Sequence, residues 1–147
     1  MSFHPLMVGA NALCYVKNDK KYGMICAWAS VLDYDKITML LGAQSITGQT
    51  LEIGDVVGVS SLALGQKDVC DKLGHSHSNE EDKFLNLNYH TDSTAILIND
   101  AKANMVCKVL DIITKDYIPG DRLVVLEILS YEDNKEDKDF LPSYLAK

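Results

Sequence analysis

The chain has 147 residues, of which 47% are hydrophobic and 24% are charged, so it can bury the core of one globular domain and does not have a disordered composition. The formal net charge is -7 and Arg122 is the one arginine, which argues against nucleic acid and anionic lipid as partners. No apolar run reaches the roughly 20 residues that span a bilayer and no signal peptide is recognisable, so we expect a cytoplasmic protein that does not bind membranes.

The chain begins with a predicted β-hairpin. Residues 12–16 are apolar, residues 17–21 form a polar cluster typical of a turn, and residues 22–29 have the character of a second strand. Residues 33–36 predict another turn, and residues 37–41 predict a short buried strand. The first forty residues therefore indicate antiparallel β-structure.

Two helices are predicted in the middle of the chain, on either side of a strand at residues 56–62. Residues 44–52 favour a helix with Ser45 as its N-cap, since a serine hydroxyl can accept from a free amide of the first turn. Apolar side chains recur at helical spacing in residues 65–73, and Gly74 is well placed to end that helix.

Strands return in the last third of the chain. Residues 75–82 are polar and predict an exposed loop, whereas residues 85–99 give no clear assignment. Residues 105–113 predict a long strand, Pro119-Gly120-Asp121 a turn, and residues 123–129 the partner strand. Because strands outnumber helices and turns are frequent, the sequence predicts a mainly β fold with a few helices, arranged as a closed or partly closed barrel.

One domain accounts for most of the chain. No internal repeat or linker marks a second domain, so we assign residues 1–130 to a single unit. Charge is dense in residues 132–139, which is typical of a solvated segment. Residues 131–147 are therefore predicted to be a charged C-terminal extension.

No pattern of metal ligands is recognisable, and no metal is expected. The cysteines lie far apart without a Cys-x-x-Cys pair, which favours reduced residues packed as small hydrophobes; they are Cys14, Cys26, Cys70 and Cys107. His75 and His77 would share a face on a strand, but they lie in a polar segment without a third ligand, and His90 is an unsupported addition.

Three hydroxyl side chains cluster around the first predicted helix. Ser45, Thr47 and Thr50 lie at the start of a segment where free backbone amides and the helix dipole favour an anion. A hydrogen bond to a charged phosphate contributes on the order of 1.5–3 kcal/mol, so three or four could hold one without an arginine. The simpler interpretation is N-capping by Ser45 with two exposed threonines.

Several short motifs appear in a recognisable order. They are Gly23-Met24 with Trp28 and Ser30, the run Gln44-Ser45-Ile46-Thr47-Gly48-Gln49-Thr50, the strand Val56-Val57-Gly58-Val59-Ser60, then Gln66 and Asp82-Lys83-Phe84. In this order and spacing the chain resembles the flavin reductase-like family of FMN-binding split β-barrels. The resemblance covers roughly residues 10–128. It departs from the family at residues 33–36, which stand where the family has Asp-Pro-Pro.

The resemblance implies an FMN site. The family places its phosphate-binding Ser/Thr cluster at Ser45, Thr47 and Thr50, and lines the flavin ring with the segment matching Cys26, Ala27, Trp28, Ala29 and Ser30. Ala27 replaces a family serine, so a contact there would come from the backbone or from Ser30. Without the resemblance, Trp28 would be interpreted as a core aromatic side chain.

Further ring contacts are implied by the strand that carries Gly58, Ser60 and Ser61. Gly58 replaces a family asparagine and would permit a close backbone approach to a planar ligand. Lys83 could place positive charge near a reduced flavin or a nicotinamide, or it could be solvated. Arg122 stands where the family has a histidine, and could stabilise an anionic flavin or a phosphate, or lie on the surface. Lys83 and Arg122 are the candidate catalytic residues.

Three functions remain open at this point. The first is an enzyme of the NAD(P)H:flavin oxidoreductase type, whose chemistry belongs largely to bound FMN. The second is a flavoredoxin-type electron carrier that is reduced by a protein partner docking on the acidic surface. The third is a split-barrel binding protein that has lost flavin chemistry, as the departures at Ala27, Gly58 and Arg122 would allow. By the resemblance, the protein is expected to be a homodimer.

Overall fold

The computed structural model describes residue 6 and residues 8–74, 82–134 and 138–145. The strands are β1 (Asn11–Lys17), β2 (Lys20–Cys26), β3 (Ala29–Asp33), β4 (Lys36–Leu41), β5 (Val56–Ser61), β6 (Tyr89–Asp92), β7 (Ala95–Ile98), β8 (Ala103–Ile113) and β9 (Arg122–Asp133). The helices are α1 (Ile46–Thr50) and α2 (Lys67–Gly74), and short 3-10 turns cover Asp82–Phe84 and Ser143–Leu145. Neither α1 nor α2, the helices of the described part, has the length and apolar composition to cross a membrane.

The strands form one antiparallel sheet in the order β3-β4-β9-β8-β5-β1-β7-β6, with β2 paired to β1. Inward-facing side chains of β1, β4, β5, β8 and β9 belong to one hydrophobic cluster, so the sheet curls around a common core. Its most deeply buried members include Leu13, Tyr15, Met39, Leu41, Val57 and Leu126. The predicted mainly β split barrel is confirmed.

A second hydrophobic cluster lies on the opposite face of β1. Ala12 and Cys14 of β1 belong to it, together with side chains of α2 and β7. Both faces of β1 are therefore buried, which explains why four consecutive residues of this strand are solvent-inaccessible. The predicted helix at residues 65–73 is confirmed as α2, whose Val69, Cys70 and Leu73 face this cluster.

The predicted N-terminal hairpin is also confirmed. β1 and β2 pair over their full lengths, and Asn18 and Asp19 take positive φ angles of 52° and 64°, as a tight two-residue hairpin turn requires. The strand predicted at residues 22–29 is interrupted at residues 27–28, where the chain turns from β2 into β3. Residues 85–99, which the sequence left unassigned, contain the β6–β7 hairpin.

The C-terminal residues return to the sheet. β9 runs to Asp133 and pairs with β8 across position 130, where the sequence suggested the end of the domain. Residues 139–143, called here the C-terminal strap, then lie between residues 8–10 and 62–64. The Leu141 N–H donates to the Leu62 carbonyl at 2.8 Å, and the Ala10 N–H donates to the Leu141 carbonyl at 2.8 Å.

Candidate functional site

A cavity of about 860 Å³ opens where β3, the ends of β5 and β9, the start of β8 and the C-terminal strap meet. This volume is in the range of small-molecule binding sites. Most of its lining is apolar and includes Val8, Val31, Ile37, Val59, Met105 and Ile128. Three residues predicted to line a ligand, Ala29, Ser30 and Ser61, lie on its wall.

A polar pair lines the same cavity between the strand ends. In the register of the sheet, Asn11 lies opposite both Cys26 of β2 and Ser61 of β5. The Ser61 hydroxyl donates to Asn11 Oδ1 at 3.0 Å, and Asn11 Nδ2 donates to the Cys26 carbonyl at 3.2 Å. Asn11 thus fixes three strands at the cavity wall. The sequence did not single out Asn11, because its register partners are known only once the strands are paired.

The connection between β2 and β3 presents the tryptophan to solvent. The Leu40 N–H donates to the Trp28 carbonyl at 2.9 Å, while the Trp28 residue is 67% exposed. This excludes the core-aromatic interpretation of Trp28. Cys26 is buried, and its thiol points to the Trp28 and Leu40 carbonyls at 3.5 and 3.4 Å. Burial raises the pKa of the Cys26 thiol to about 11, so it is a neutral packing group at neutral pH.

The three hydroxyls near α1 do not converge on one open point. Ser45 is the N-cap and accepts from the Gly48 N–H at 3.1 Å, as predicted. The Thr47 side chain is buried and donates to the Gly23 carbonyl at 3.1 Å. Thr50 donates to the Ile46 carbonyl at 2.7 Å, one turn earlier in the helix. Of the three, only Ser45 is both partly accessible and at the start of the helix.

Lys83 is not a loop lysine in solvent. It is only 6% exposed, and its ammonium donates to the Gly23 carbonyl at 3.1 Å, the same carbonyl that Thr47 contacts. Gly23 is itself tightly packed, because a Cβ there would lie 2.8 Å from Phe84 Cζ. Lys83 therefore ties the turn at residues 82–84 to β2 and does not line the cavity, which corrects its predicted place beside a flavin ring.

Arg122 is likewise a structural residue. Its guanidinium donates to the Gly48 carbonyl at 2.5 Å and to the Leu51 carbonyl at 3.0 Å. These carbonyls belong to the end of α1, where a cation is favoured by the helix dipole. Arg122 thus holds α1 on the start of β9 and does not line the cavity of about 860 Å³, while its contact with a flavin or phosphate stays a prediction.

Gly58 and Ser60 face the protein interior. A Cβ on Gly58 would lie 2.0 Å from the Ile96 carbonyl oxygen, so the glycine does permit a close approach, but the approaching backbone is that of β7. Ser60 is fully buried and accepts from the Ile98 N–H at 3.0 Å. Both predictions of a ring contact are therefore corrected, whereas Ser61, the next residue of β5, does reach the cavity.

Aromatic and acidic side chains missed by the sequence reasoning complete the cavity. Asp33 comes from the end of β3, Tyr34 and Asp35 from the β3–β4 turn, Tyr131 from β9 and Phe140 from the C-terminal strap. The three aromatic residues are strongly exposed, at 103%, 58% and 53%. A signal for Phe140 was available, since an apolar Phe-Leu-Pro run following a charged segment indicates a return to the core.

No group of three or more histidine, cysteine or acidic side chains in the described ranges is arranged to hold a metal ion. The pair His75 and His77 lies outside the described residues. His90 is exposed, and its Nδ1 lies 2.5 Å from Asn99 Oδ1. All four cysteines are buried thiols that form no disulfide in the described part of the chain.

The chain is similar to known proteins both in sequence pattern and in fold. The family model described as flavin reductase like domain matches residues 5–144. No curated protein matches the sequence. Among solved structures, an NADH:FAD oxidoreductase from Streptomyces globisporus superposes with a TM-score of 0.80 at 18% identity, covering 92% of this chain and 80% of that one.

Two further structures share the fold. An FMN-binding protein from Thermus thermophilus, with bound 1-cyclohex-2-enone, has a TM-score of 0.79 at 16% identity, covering 92% of this chain and 76% of that one. A homologue of nitrilotriacetate monooxygenase component B from Mycobacterium thermoresistibile has a TM-score of 0.75 at 20% identity, covering 90% and 73%. At these identities the superpositions establish the architecture alone.

Proposed function

The chain belongs to the flavin reductase like domain family, and on that premise we propose that it is an FMN-binding flavoprotein of the flavin reductase type. Bound flavin would supply the redox chemistry, with NAD(P)H as electron donor. The observation that carries the proposal is the apolar cavity with a polar Asn11–Ser61 pair on its wall.

The cavity fits the isoalloxazine ring in size and chemistry. Partly exposed apolar side chains on the cavity wall, such as Ala29 of β3 and Ile128 of β9, can pack against a flat ring. The Asn11 amide, the Ser61 hydroxyl and the Ser30 hydroxyl would be the polar groups available to hold the ring's heteroatoms. The chain's part in the reaction is then to orient the ring, to shield one face from water and to leave an open mouth for the electron donor.

The phosphate of FMN is assigned to the start of α1. Met24 Sδ lies 3.2 Å from the Ser45 hydroxyl, and five residues further along the chain Ala29 lines the cavity. Five residues span at most about 17 Å, so one ligand could reach both places. The buried Lys83 ammonium shares the Gly23 carbonyl with Thr47, which places positive charge behind this segment.

A flavoredoxin-type electron carrier is the second candidate, and the cavity mouth favours it. The charged side chains among the described residues lining the cavity are Asp33 and Asp35, and the net charge of the chain is -7. A basic redox protein would be attracted to such a surface. A split-barrel protein that has lost flavin chemistry is the third.

We also propose a homodimer located in the cytoplasm. Large apolar side chains are exposed along the β3–β4 hairpin and β9, namely Val31, Leu32, Tyr34, Leu129 and Tyr131. An exposed apolar face of this kind is typical of a surface that is covered in an assembly. The cytoplasmic assignment depends on the four buried cysteines, which form no disulfide with one another as an oxidising compartment would favour.

The absorption spectrum of the purified protein distinguishes these functions. A flavoprotein is yellow and retains one FMN per chain, whereas a colourless protein that stays free of flavin in excess FMN refutes the proposal. Anaerobic addition of NADH bleaches a reductase rapidly. A carrier keeps its flavin oxidised under NADH and is bleached by a reduced protein partner instead.

A further inference from the structure

We infer that the C-terminal strap is a positioning element of the cavity, with Leu141 as its anchor. The strap fixes the end of the β1–β5 ladder, where Asn11 and Ser61 form the polar part of the cavity wall. Residues that the sequence assigns to a charged extension thereby become part of the site. The consequence for flavin binding rests on the proposed function, whereas the effect on the wall does not.

The strap begins to pair where the ladder between β1 and β5 ends. The last bond of that ladder runs from the Leu62 N–H to the Ala10 carbonyl at 3.0 Å, one position beyond the Asn11–Ser61 pair. Past this bond, the segment before β1 and the segment after β5 each form an antiparallel bridge to the strap. The strap therefore occupies the space between two strands at the point where they separate.

Backbone hydrogen bonds tie the strap to both segments. The Ala10 N–H donates to the Leu141 carbonyl, and the Leu141 N–H donates to the Leu62 carbonyl, both at 2.8 Å. Two further bonds of 2.9 Å, from the N–H groups of Leu64 and Ser143, connect the ends of the strap to the same two segments. Since residues 10 and 62 are the chain neighbours of Asn11 and Ser61, a displaced strap would displace the polar pair as well.

The side chains of the strap alternate between two faces, as in any extended segment. Leu141 is only 3% exposed and belongs to the second hydrophobic cluster, while Phe140 and Pro142 line the cavity. A slip of one residue would exchange these faces and put Leu141 into the cavity. The burial of Leu141 thus determines which side chains of the strap form the wall.

Lys102 braces the strap from the side of β8. Its N–H donates to the Ser61 carbonyl at 2.9 Å, and its ammonium forms an ion pair with Asp133 at 3.1 Å. The same ammonium lies 5.6 Å from the centre of the Phe140 ring, within the range of a cation–π contact. Lys102 therefore connects the polar wall, the end of β9 and the strap.

A set of full-length variants tests the inference. Leu141→Ala removes the anchor, and Leu141→Met is the conservative change that should restore it. Leu87→Ala is the matched control, because Leu87 is buried in the same cluster but neither pairs with the strap nor lines the cavity. Lys102→Met loosens the strap while leaving both hydrophobic clusters intact, so it keeps the test available if Leu141→Ala fails to fold.

Backbone amide exchange, followed by NMR, reports on the wall without any ligand. The Leu62 N–H is compared with the Val109 N–H, which donates to the Asp55 carbonyl at the other end of β5. In Leu141→Ala the Leu62 amide should exchange at least about tenfold faster relative to Val109, because the strap opens locally. In Leu87→Ala and Leu141→Met this ratio should stay close to that of the unmodified protein.

Flavin affinity reports on the consequence for the site. Fluorescence titrations with FMN are carried out well below the thermal midpoint of every variant. Leu141→Ala should raise the dissociation constant about three- to tenfold, as the loss of one well-placed hydrogen bond does, and Lys102→Met should change it in the same direction. Leu87→Ala should lower the thermal midpoint without changing the dissociation constant.

The outcomes separate the inference from the proposed function. In a yellow protein, equal exchange ratios or equal dissociation constants for Leu141→Ala and Leu87→Ala overturn the inference and leave the flavoprotein assignment intact. A chain that takes up no FMN refutes the proposed function. In that chain, an exchange ratio that rises only in the strap variants supports the positioning role, and an unchanged ratio overturns it as well.

Discussion

Gly58→Ala should destabilise the protein severely, because the space for a methyl group is filled by the backbone of β7. The added Cβ would lie 2.0 Å from the Ile96 carbonyl oxygen and 2.7 Å from its carbon, so main chain must move. Gly58 pairs with Cys14 on one side and Val106 on the other, which prevents β5 from shifting freely. We expect a loss of about 3 kcal/mol in the free energy of unfolding, at the upper end of overpacking effects.

Urea and thermal unfolding followed by circular dichroism measure this loss. For a domain of this size the midpoint should fall by about 6–12 °C. Gly42→Ala is the matched control, since nothing lies within 4 Å of its added Cβ, and it should be neutral or slightly stabilising. If Gly58→Ala keeps its stability and instead loses FMN, the close approach is to the ligand and our account of Gly58 is wrong.

Three other perturbations address the site and the residues around it. Arg122→Met removes two charged hydrogen bonds to the end of α1 and should lower the free energy of unfolding by about 1.5–3 kcal/mol in urea titrations. The control variant Lys115→Met should have little effect. Equal stability of the two variants would contradict the role assigned to Arg122. Burial raises the pKa of Cys26 from the ordinary thiol value of 9.0 to about 11, so this thiol stabilises the fold below pH 9 and the contribution is lost as pH rises toward 11. Cys26→Ala should therefore show a shallower decline in the free energy of unfolding over that pH range, and an unchanged slope would refute the assignment. Ser61→Ala should raise the dissociation constant for FMN several-fold in a fluorescence titration, relative to the control Ser130→Ala. Ser130 does not line the cavity. Identical dissociation constants for the two variants would show that the flavin ring does not bind beside Ser61.

Local chemistry was sufficient for the parts of the fold that depend on neighbours in sequence. The polar cluster at residues 17–21 between two apolar runs predicted the β1–β2 hairpin, and the helical spacing in residues 65–73 predicted α2. Ser45 could be assigned as the N-cap of α1 because a cap bonds to an amide three residues away. The order of the motifs also indicated the family to which the chain belongs.

Contacts between segments far apart in the chain could not be predicted from the sequence. These contacts determine which of the candidate residues line the cavity. Gly58 and Ser60 look equivalent to Ser61 in the sequence, but β7 lies across the first two and leaves the third at the strand end. Arg122 contacts carbonyls more than seventy positions away, at the end of α1. Phe140 reaches the cavity because the C-terminal strap returns to the sheet.

The residues by themselves determined which segments are extended, which are helical and which architecture they assemble into, since those properties follow from periodicity, turn chemistry and motif order. Only the folded sheet decided which side chains face a ligand and which face another strand. The physical reason is that a strand has two faces and two edges, and the neighbour that covers each of them is chosen by pairing between segments far apart in the chain.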